Sequence, residues 1–375
     1  MYFFVFFVLS GIILFPLFYR YILFFNPSLF FVFLFSFFFI GIVFLPFLVN
    51  ERFEKYLKKY YPLYRSVLYA IYVGCFLLLL LTAVRDIIWI SSAFIWKTIP
   101  SPFDPEALVY VNGMTLMIIV ILTVWSLFQG VKIPAVQRVE IASDKLKNTY
   151  KLVVLSDLHL HRSIHLKKIS EIIKKVNQLM PDVILLTGDT IDDVPCKISL
   201  LIHELKKLKS SKGIYFISGN HEFYIGYTDC VNALKEIGAR FLDNQGISLG
   251  NDLYLAGISD PEAGLKFNMR YNIENSFKYA TKDQFRILMS HTPILFKEKP
   301  PFNLEISGHT HGGQIFPFHI GVYLRYKCLS GLYQFCENGW MYISRGSGQW
   351  GPQMRLAAPA EITELILTPD CKKGS

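Results

Sequence analysis

Four long apolar runs in the first third of the chain constrain its fold more than any other feature. They cover residues 2–18, 28–49, 66–84 and 107–128. Each approaches or exceeds the roughly 17–25 residues that a helix needs to cross a bilayer. The runs lack a polar face that would cover them in water, which disfavours the alternative of a buried helical core. The sequence therefore predicts a transmembrane bundle of about four helices within residues 1–132.

Loop charge predicts the orientation of these helices. The loop between the second and third runs carries five basic residues, namely Arg52, Lys55, Lys58, Lys59 and Arg65. The other two loops carry fewer, and the positive-inside rule then places the basic loop, both termini and the rest of the chain in the cytoplasm. No charged residue lies within any of the four runs, which disfavours a transport path.

Residues 133–375 have a different composition and predict a second domain. Apolar strand-like runs alternate with amphipathic helix-like runs at 166–180, 197–209 and near 229–237. The strand-like runs lie at 150–156, 182–188, 213–219, 253–258, 285–290, 302–308, 340–346 and 360–367. This alternation is typical of an α/β domain, in which ligands bind in loops at strand ends.

Charge and cysteine content narrow the function. The formal net charge is +9, with no concentrated basic stripe, so the chain does not resemble a nucleic-acid-binding protein. This charge is compatible with a phosphate-bearing substrate or an anionic membrane surface. The six cysteines form no CxxC pair, which suits a reducing compartment.

Five of the predicted strands end in metal-ligating side chains. A single strand-end histidine is more often structural, but five such strand ends in one domain are difficult to explain by chance. The residues, in chain order, are Asp157 and His159, Asp189 and Asp192, Asn220 with His221 and Glu222, His291, and His309 with His311.

The chemistry of these residues predicts a pair of cations. Mixed carboxylate and imidazole ligands suit Mn²⁺, Fe or Zn²⁺ better than Mg²⁺ or Ca²⁺. The groups are more numerous than one ion needs, and two ions would neutralise the crowded carboxylates. Two divalent ions about 3.5–4 Å apart are the usual arrangement for in-line attack on phosphorus.

The ordered motifs resemble those of calcineurin-like metallophosphoesterases. They are D-x-H (157–159), G-D-x-x-D (188–192), G-N-H-E (219–222), S-H-T-P (290–293) and G-H-T-H (308–311). The resemblance implies a four-layer αββα sandwich preceded by the membrane helices. It also implies two divalent ions, with Mn²⁺ as the first expectation and Fe or Zn²⁺ as alternatives.

The same resemblance implies a role for each residue. One ion would be bound by Asp157, His159, Asp189 and His311, and the other by Asp189, Asn220, His291 and His309, so that Asp189 bridges them. His221 would stabilise the transition state or protonate the leaving oxygen, with Asp192 holding its ring. Glu222 would contact the ligand residues without binding an ion itself. Asp193 and His161 are expected at the surface, and Arg345, Arg355 and Arg325 are candidate phosphate ligands.

The substrate is less constrained than the chemistry. The membrane helices and the aromatic stretch 315–335 favour a lipid-linked phosphate, although ordinary core packing also explains that stretch. The resemblance extends to bacterial hydrolases that split UDP-diacylglucosamine into UMP and a diacylglucosamine phosphate in lipid A synthesis. This implies a multi-pass protein of the bacterial inner membrane with a cytoplasmic catalytic domain. The alternatives are a phosphodiesterase or phosphatase for another phospholipid or nucleotide, and a non-catalytic membrane scaffold.

Overall fold

A computed structural model describes residues 60–96, 105–295, 300–336 and 339–370. The chain divides into two compact units, Met1–Phe128 and Gln129–Ser375. The first two predicted membrane spans and most of the basic loop lie outside the described residues.

In its described residues, the first unit contains two long apolar helices, α1 (Tyr61–Trp96) and most of α2 (Pro105–Val131). Among the described residues, these two are long and apolar enough to cross a membrane. They correspond to the third and fourth predicted spans. Helix α1 differs from the prediction because it continues past residue 84 rather than ending there.

A polar cluster joins the two helices. Arg85 donates hydrogen bonds to Asp86 Oδ1 within α1, at 2.6 Å and 2.9 Å, and to Asn112 Oδ1 of α2, at 2.7 Å. Thr115 Oγ1 accepts a further hydrogen bond from Arg85 at 3.2 Å. Asp86, Asn112 and Thr115 are buried. The prediction that these spans contain no buried ionisable residue is therefore wrong, because the helix extends through a charged pair that the sequence suggests is a loop.

The described residues of the second unit form two six-stranded sheets. The first sheet has the order β1-β12-β2-β3-β4-β5, and the second has the order β10-β11-β9-β8-β7-β6. The strands of the first are β1 (Ala135–Ser143), β2 (Tyr150–Leu155), β3 (Val183–Thr187), β4 (Ile214–Ile217), β5 (Arg240–Phe241) and β12 (Glu361–Pro369). Those of the second are β6 (Gln245–Ser248), β7 (Leu253–Gly257), β8 (Phe285–Met289), β9 (Leu304–Ser307), β10 (Gly331–Cys336) and β11 (Gly339–Ile343).

Parallel pairing places the functional loops together. Strands β2, β3, β4 and β5 pair in parallel, and so do β7, β8, β9 and β11. Their carboxyl ends therefore lie at one edge of each sheet, where the connecting loops meet. The loops after β2, β3, β4, β8 and β9 carry the predicted ligands.

The sheets pack face to face because their strands alternate between two apolar environments. On β3, Val183 and Leu185 point into a core shared with the second sheet, together with residues such as Leu255 and Ile287. Ile184 and Leu186 point the other way, into a core shared with helical residues. Successive side chains of a strand face opposite sides, so a strand buried on both faces is apolar throughout.

Helices cover the outer faces. Helix α3 (Leu166–Gln178) buries Ile169, Ile172, Ile173 and Val176 against the first sheet. Three further helices follow: α4 (Ser199–Glu204), α5 (Asn220–Ile225) and α6 (Tyr227–Glu236). Helix α7 (Ala263–Lys266) lies against α5, and α8 (Ile273–Ser276) lies against β6 and β7 of the second sheet. Helix α9 (Phe318–Tyr326) follows the last ligand-bearing loop. Short 3₁₀ turns span Pro195–Lys197, Leu205–Lys207 and His311–Gly313.

Strand β9 carries a fully buried acidic side chain, Glu305. Its Oε1 accepts hydrogen bonds from the Ile294 amide at 2.9 Å and the Ser307 hydroxyl at 2.9 Å. Burial outweighs these bonds and raises the Glu305 pKa to about 8. The folded protein therefore holds a proton on this side chain at a pH where the unfolded chain has released it.

This difference predicts a pH-dependent contribution to stability. The Glu305 pKa is 4.5 in the absence of the fold and about 8 within it. The free energy of unfolding should therefore fall as the pH rises through this interval, by at most about 1.4 kcal/mol per pKa unit of difference. Glu305→Gln should flatten this pH dependence, measured by thermal unfolding of both proteins in detergent between pH 5 and pH 8. Parallel curves for the two proteins would contradict the prediction.

Candidate metal centre

The predicted ligands converge, although they come from loops of both sheets. The loops after β2, β3 and β4 of the first sheet meet the loops after β8 and β9 of the second. Asp157, His159, Asp189 and His291 are almost completely buried. Three sets of residues bring potential ligand atoms within 4.8 Å of one another: Asp157 with His159 and His311, His159 with Asp189 and His221, and Asp189 with His291 and His309.

Five of these residues have left-handed backbone conformations. Their φ angles are +52° for Asp157, +46° for His159, +49° for Asp189, +64° for His309 and +49° for His311. Residues other than glycine rarely adopt this region, and each such residue costs on the order of 1–3 kcal/mol. Conformations of this kind gather at functional sites, where the surrounding structure enforces them.

The first set has the spacing expected of ligands to one ion. His159 Nε2 lies 3.1 Å from His311 Nε2, and His311 Nε2 lies 3.3 Å from Asp157 Oδ1. Ligand atoms that each lie about 2.1 Å from one ion, at right angles to each other, are separated by about 3.0 Å. The geometry therefore brings together the two histidines and the aspartate predicted for the first ion.

The second set forms around His291 and Asp189. His291 Nδ1 donates a hydrogen bond to the Thr187 carbonyl oxygen at 2.9 Å, so Nε2 is the ring nitrogen that remains to face an ion. That Nε2 lies 3.2 Å from Asp189 Oδ2. The Asn220 amide oxygen is buried without a hydrogen-bond partner. Because buried polar atoms are normally paired, this oxygen fits a metal ligand.

Asp189 lies between the two sets. Its Oδ2 is 3.2 Å from His291 Nε2 and 3.7 Å from His159 Nε2. Its Oδ1 accepts a hydrogen bond from the His221 amide at 2.8 Å, which fixes the carboxylate. Its position fits the bridging role implied by the sequence resemblance.

Electrostatics favour cations here. Burial opposes ionisation of Asp189, but His291, His221 and His159 outweigh it and hold the Asp189 pKa well below its usual range. Burial and the neighbouring His159 hold the His311 pKa well below its usual value, so its ring is neutral and can bind a metal. The buried donors thus fit two divalent cations, which would replace the positive charge that the histidines otherwise supply.

Glu222 ties two ligand loops together. Its Oε1 accepts hydrogen bonds from the amides of Thr190 and Ile191, at 2.7 Å and 2.9 Å. Its Oε2 accepts from the amides of Gly219 and Asp189, at 2.8 Å and 3.0 Å. The side chain holds the β3 and β4 loops in register, which agrees with the supporting role expected of it.

His221 and Asp192 form a hydrogen-bonded pair beside the ligands. His221 Nδ1 lies 2.5 Å from Asp192 Oδ1. Its Nε2 is 3.9 Å from Asp189 Oδ2, farther than the 3.2 Å of His291 Nε2. Burial lowers the His221 pKa, but Asp192 and Asp189 outweigh it and raise this pKa to about 9. At neutral pH the ring is therefore protonated and can donate from Nε2.

All three candidate arginines have partners within the protein. Arg355 is fully buried and donates to the backbone carbonyls of Ala358 at 2.8 Å and Arg345 at 2.8 Å. It orders the loop after β11 and is not placed to bind a phosphate, contrary to the sequence-based expectation. Arg345 forms a 2.5 Å ion pair with Glu361. Arg325 is 65% exposed and pairs with Glu262 at 2.7 Å, at the rim of the site.

Two surface predictions are wrong. Asp193 is buried and binds the Arg162 guanidinium with both carboxylate oxygens, at 2.6 Å and 2.7 Å. His161 is also buried, and its Nδ1 accepts from the Ser163 amide at 3.2 Å. Both residues stabilise the loops that carry ligands.

One contact to a ligand has no counterpart in the motifs. Tyr326 at the end of α9 places its hydroxyl 2.9 Å from His309 Nε2. Seventeen residues separate the two, and no short motif links them. Only the folded path of α9 reveals the pairing.

Comparison with known proteins agrees with this geometry. Residues 150–313 match the model of the calcineurin-like phosphoesterase family. An uncharacterized metallophosphoesterase of Campylobacter jejuni is 36% identical over 251 residues, which cover 64% of this chain and 65% of the relative. A bovine transmembrane protein with a metallophosphoesterase domain is 33% identical over 274 residues, which cover 68% of this chain and 62% of that protein.

The extent of the match differs among relatives. The chain spans slightly under two thirds of the length of the bovine and Campylobacter proteins. It covers 82% of an uncharacterized metallophosphoesterase of Bacillus subtilis, with 30% identity over 230 residues. Among solved structures, a dimetal phosphatase from Danio rerio aligns with a TM-score of 0.40 and 9% identity, covering 58% of this chain and 98% of that protein.

The motif glycine Gly308 is required by close packing in the site. A Cβ added there would overlap Ser156 Oγ and the Asp157 carboxylate. Gly308→Ala should therefore displace a ligand of the first ion and weaken Mn²⁺ binding at least about tenfold, a size typical of disturbed ligand support. Equilibrium dialysis with metal analysis measures this.

A matched control is Gly321→Ala on α9. A Cβ at Gly321 would meet nothing within 4 Å, so Mn²⁺ binding should match that of the unmodified protein. Equal binding by both variants would contradict the assignment of Asp157 as a ligand.

Proposed function

The chain belongs to the calcineurin-like metallophosphoesterases, which are metal-dependent hydrolases, and we propose that it is a membrane-bound hydrolase of a lipid-linked phosphate ester or pyrophosphate. The observation that carries the reaction type is the pair of ligand sets on either side of Asp189. His221, held by Asp192, lies beside them and supplies a proton donor.

The ions, His221 and Asp192 would have separate roles in the reaction. When bound, the two ions supply positive charge for the phosphate and lower the pKa of a water molecule. A water oxygen adds to phosphorus as the bond from phosphorus to the leaving oxygen breaks. The leaving oxygen takes its proton from His221 Nε2, while the attacking water releases a proton to solvent, from which His221 is protonated again. Asp192 holds His221 Nδ1, which keeps the donating nitrogen directed into the site and stabilises the charged ring.

Two features support a lipid-linked substrate. The described part of the chain contains two helices of membrane-spanning length, and a bovine relative is named as a transmembrane protein. Helix α9, directly after the last ligand loop, exposes apolar side chains: Phe318 is 46% exposed, Ile320 58% and Leu324 62%. An apolar surface of this kind next to a phosphate site fits acyl chains.

The specific substrate that we propose is UDP-diacylglucosamine. Hydrolysis of its pyrophosphate would give UMP and a diacylglucosamine phosphate, as in lipid A synthesis. With this substrate, the protein would be a multi-pass protein of the bacterial inner membrane, with its metal site on the cytoplasmic side. Mn²⁺ is the ion that we propose first. The mixed nitrogen and oxygen ligands also suit Fe or Zn²⁺, which are the alternatives.

The alternative substrates differ in whether they carry acyl chains. A broader phosphodiesterase or phosphatase would act on another phospholipid or on a nucleotide. The bacterial and vertebrate relatives carry only general metallophosphoesterase names, which is compatible with this broader activity. The assembled ligand sets disfavour a non-catalytic scaffold. The Arg85 cluster shows that α1 carries charged residues, so the absence of charge no longer argues against a transport role of the helices.

The role of His221 yields a test that separates catalysis from metal binding. His221→Ala should lower kcat by about 10²–10⁴-fold, because the proton donor is lost, while two ions remain bound. Activity assays and metal analysis on the same preparation measure this. The control His203→Ala changes an exposed histidine on α4 and should leave both unchanged. Wild-type kcat, or loss of an ion, in His221→Ala would contradict the assigned role.

The substrate class predicts an acyl-dependent effect of α9. With Mn²⁺, the protein should release UMP from UDP-diacylglucosamine. The double variant Ile320→Ser/Leu324→Ser should raise KM for this substrate about tenfold or more, since each lost apolar contact is worth roughly 1.5 kcal/mol. Hydrolysis of a soluble nucleotide diphosphate sugar should not change.

The matched control for this experiment is Leu200→Ser, which removes an apolar side chain that is 75% exposed on α4. It should leave both KM values unchanged. Absence of UMP release would exclude UDP-diacylglucosamine. Equal effects of the α9 variant on acylated and soluble substrates would contradict acyl binding by α9.

A further inference from the structure

Three side chains outside the metal motifs form a continuous hydrogen-bonded chain to His309. The Tyr326 hydroxyl lies 2.9 Å from His309 Nε2 and 3.1 Å from Glu262 Oε1. Arg325 approaches both members, with Nε 3.3 Å from the Tyr326 hydroxyl and Nη2 2.7 Å from Glu262 Oε1. This series of hydrogen bonds therefore leads from a candidate ligand of the second ion to the rim of the site.

The donors and acceptors fix the direction of every bond. The oxygens of an ionised carboxylate can only accept hydrogen bonds, so the single Tyr326 O–H donates to Glu262. The two lone pairs of the tyrosine oxygen then accept from Arg325 Nε–H and from His309 Nε2–H. His309 Nε2 consequently carries a proton, and the nitrogen that remains for a metal is Nδ1.

We propose that Tyr326 and Glu262 are positioning residues that hold the His309 imidazole in the orientation and tautomer required of a metal ligand. A metal-bound histidine typically donates its other ring N–H to such a partner, and the loss of that partner typically weakens metal binding about 10–100-fold. This inference rests on the two-metal site proposed above. It adds residues that the motifs do not contain.

The position of Glu262 is itself fixed by a buried residue. Asp260 Oδ1 accepts hydrogen bonds from the amides of Glu262 and Ala263, at 3.1 Å and 2.7 Å. Asp260 Oδ2 accepts from the hydroxyl of Thr292, which directly follows the ligand His291, at 2.6 Å. The β7 loop, the β8 loop and the end of α9 therefore share one hydrogen-bonded framework. This framework makes Glu262 a defined partner despite its partial exposure.

The helix that bears Tyr326 also bears the apolar side chains proposed to contact acyl chains. Tyr326 is the last residue of α9, two positions after the exposed Leu324. A displacement of α9 would move the Tyr326 hydroxyl away from His309. The proposed acyl-binding surface and the proposed partner of His309 therefore lie on the same helix.

Mn²⁺ titration of the purified full-length chain tests the inference without an activity assay. In Tyr326→Phe, the second ion should bind about 10–100-fold more weakly, while the affinity of the first changes by less than about twofold. Electron paramagnetic resonance should show the signal of isolated Mn²⁺ at concentrations where the unmodified protein shows a spin-coupled pair. The control Tyr323→Phe removes a hydroxyl from the half-exposed Tyr323 of the same helix and should behave as the unmodified protein.

Glu262 supplies an independent variant. Glu262→Gln keeps an oxygen that can accept from Tyr326, so it should weaken binding of the second ion less than Glu262→Ala does. Two ions bound by Tyr326→Phe with unchanged affinity would overturn the inference and leave the two-metal site intact. An unmodified protein that binds fewer than two ions would overturn both.

Discussion

The rest of the structure depends on the crowding of buried carboxylates and imidazoles at one point between two sheets. Asp157, Asp189, His159 and His291 are withdrawn from water and lie within a few ångströms of one another. Buried charges are costly unless they are paired or coordinate a metal. Two divalent cations satisfy this requirement for all the ligands at once, with Asp189 positioned between the two sets.

The fold produces this crowding through the parallel arrangement of its strands. Five loops meet because β2, β3 and β4 end at the same edge as β8 and β9 of the facing sheet. Left-handed backbone at five ligands and the overlap that forbids a side chain at Gly308 show how closely these loops pack. The apolar strands supply the rigid support that such conformations need.

Much of this was predictable from the sequence, for identifiable reasons. The eight predicted strands are present because continuous apolar runs mark strands buried on both faces, as in Val183–Thr187. Strand β1 escapes prediction because it is largely exposed and has no apolar run. The ligands follow buried strands directly, so their convergence is foreseeable. The contacts of three other residues are not foreseeable, namely Arg355, Asp193 and Tyr326. Their partners lie far away in the sequence or are backbone atoms. The extent of α1 through Arg85 depends on Asn112 and Thr115 of another helix.

The central claim is that two cations share Asp189. The most direct measurement is anomalous X-ray diffraction from crystals of the protein grown with Mn²⁺. The account predicts two anomalous peaks about 3.5–4 Å apart, with the Asp189 carboxylate between them. One peak would lie against Asp157, His159 and His311, and the other against Asn220, His291 and His309. A single peak, or peaks away from Asp189, would contradict the account.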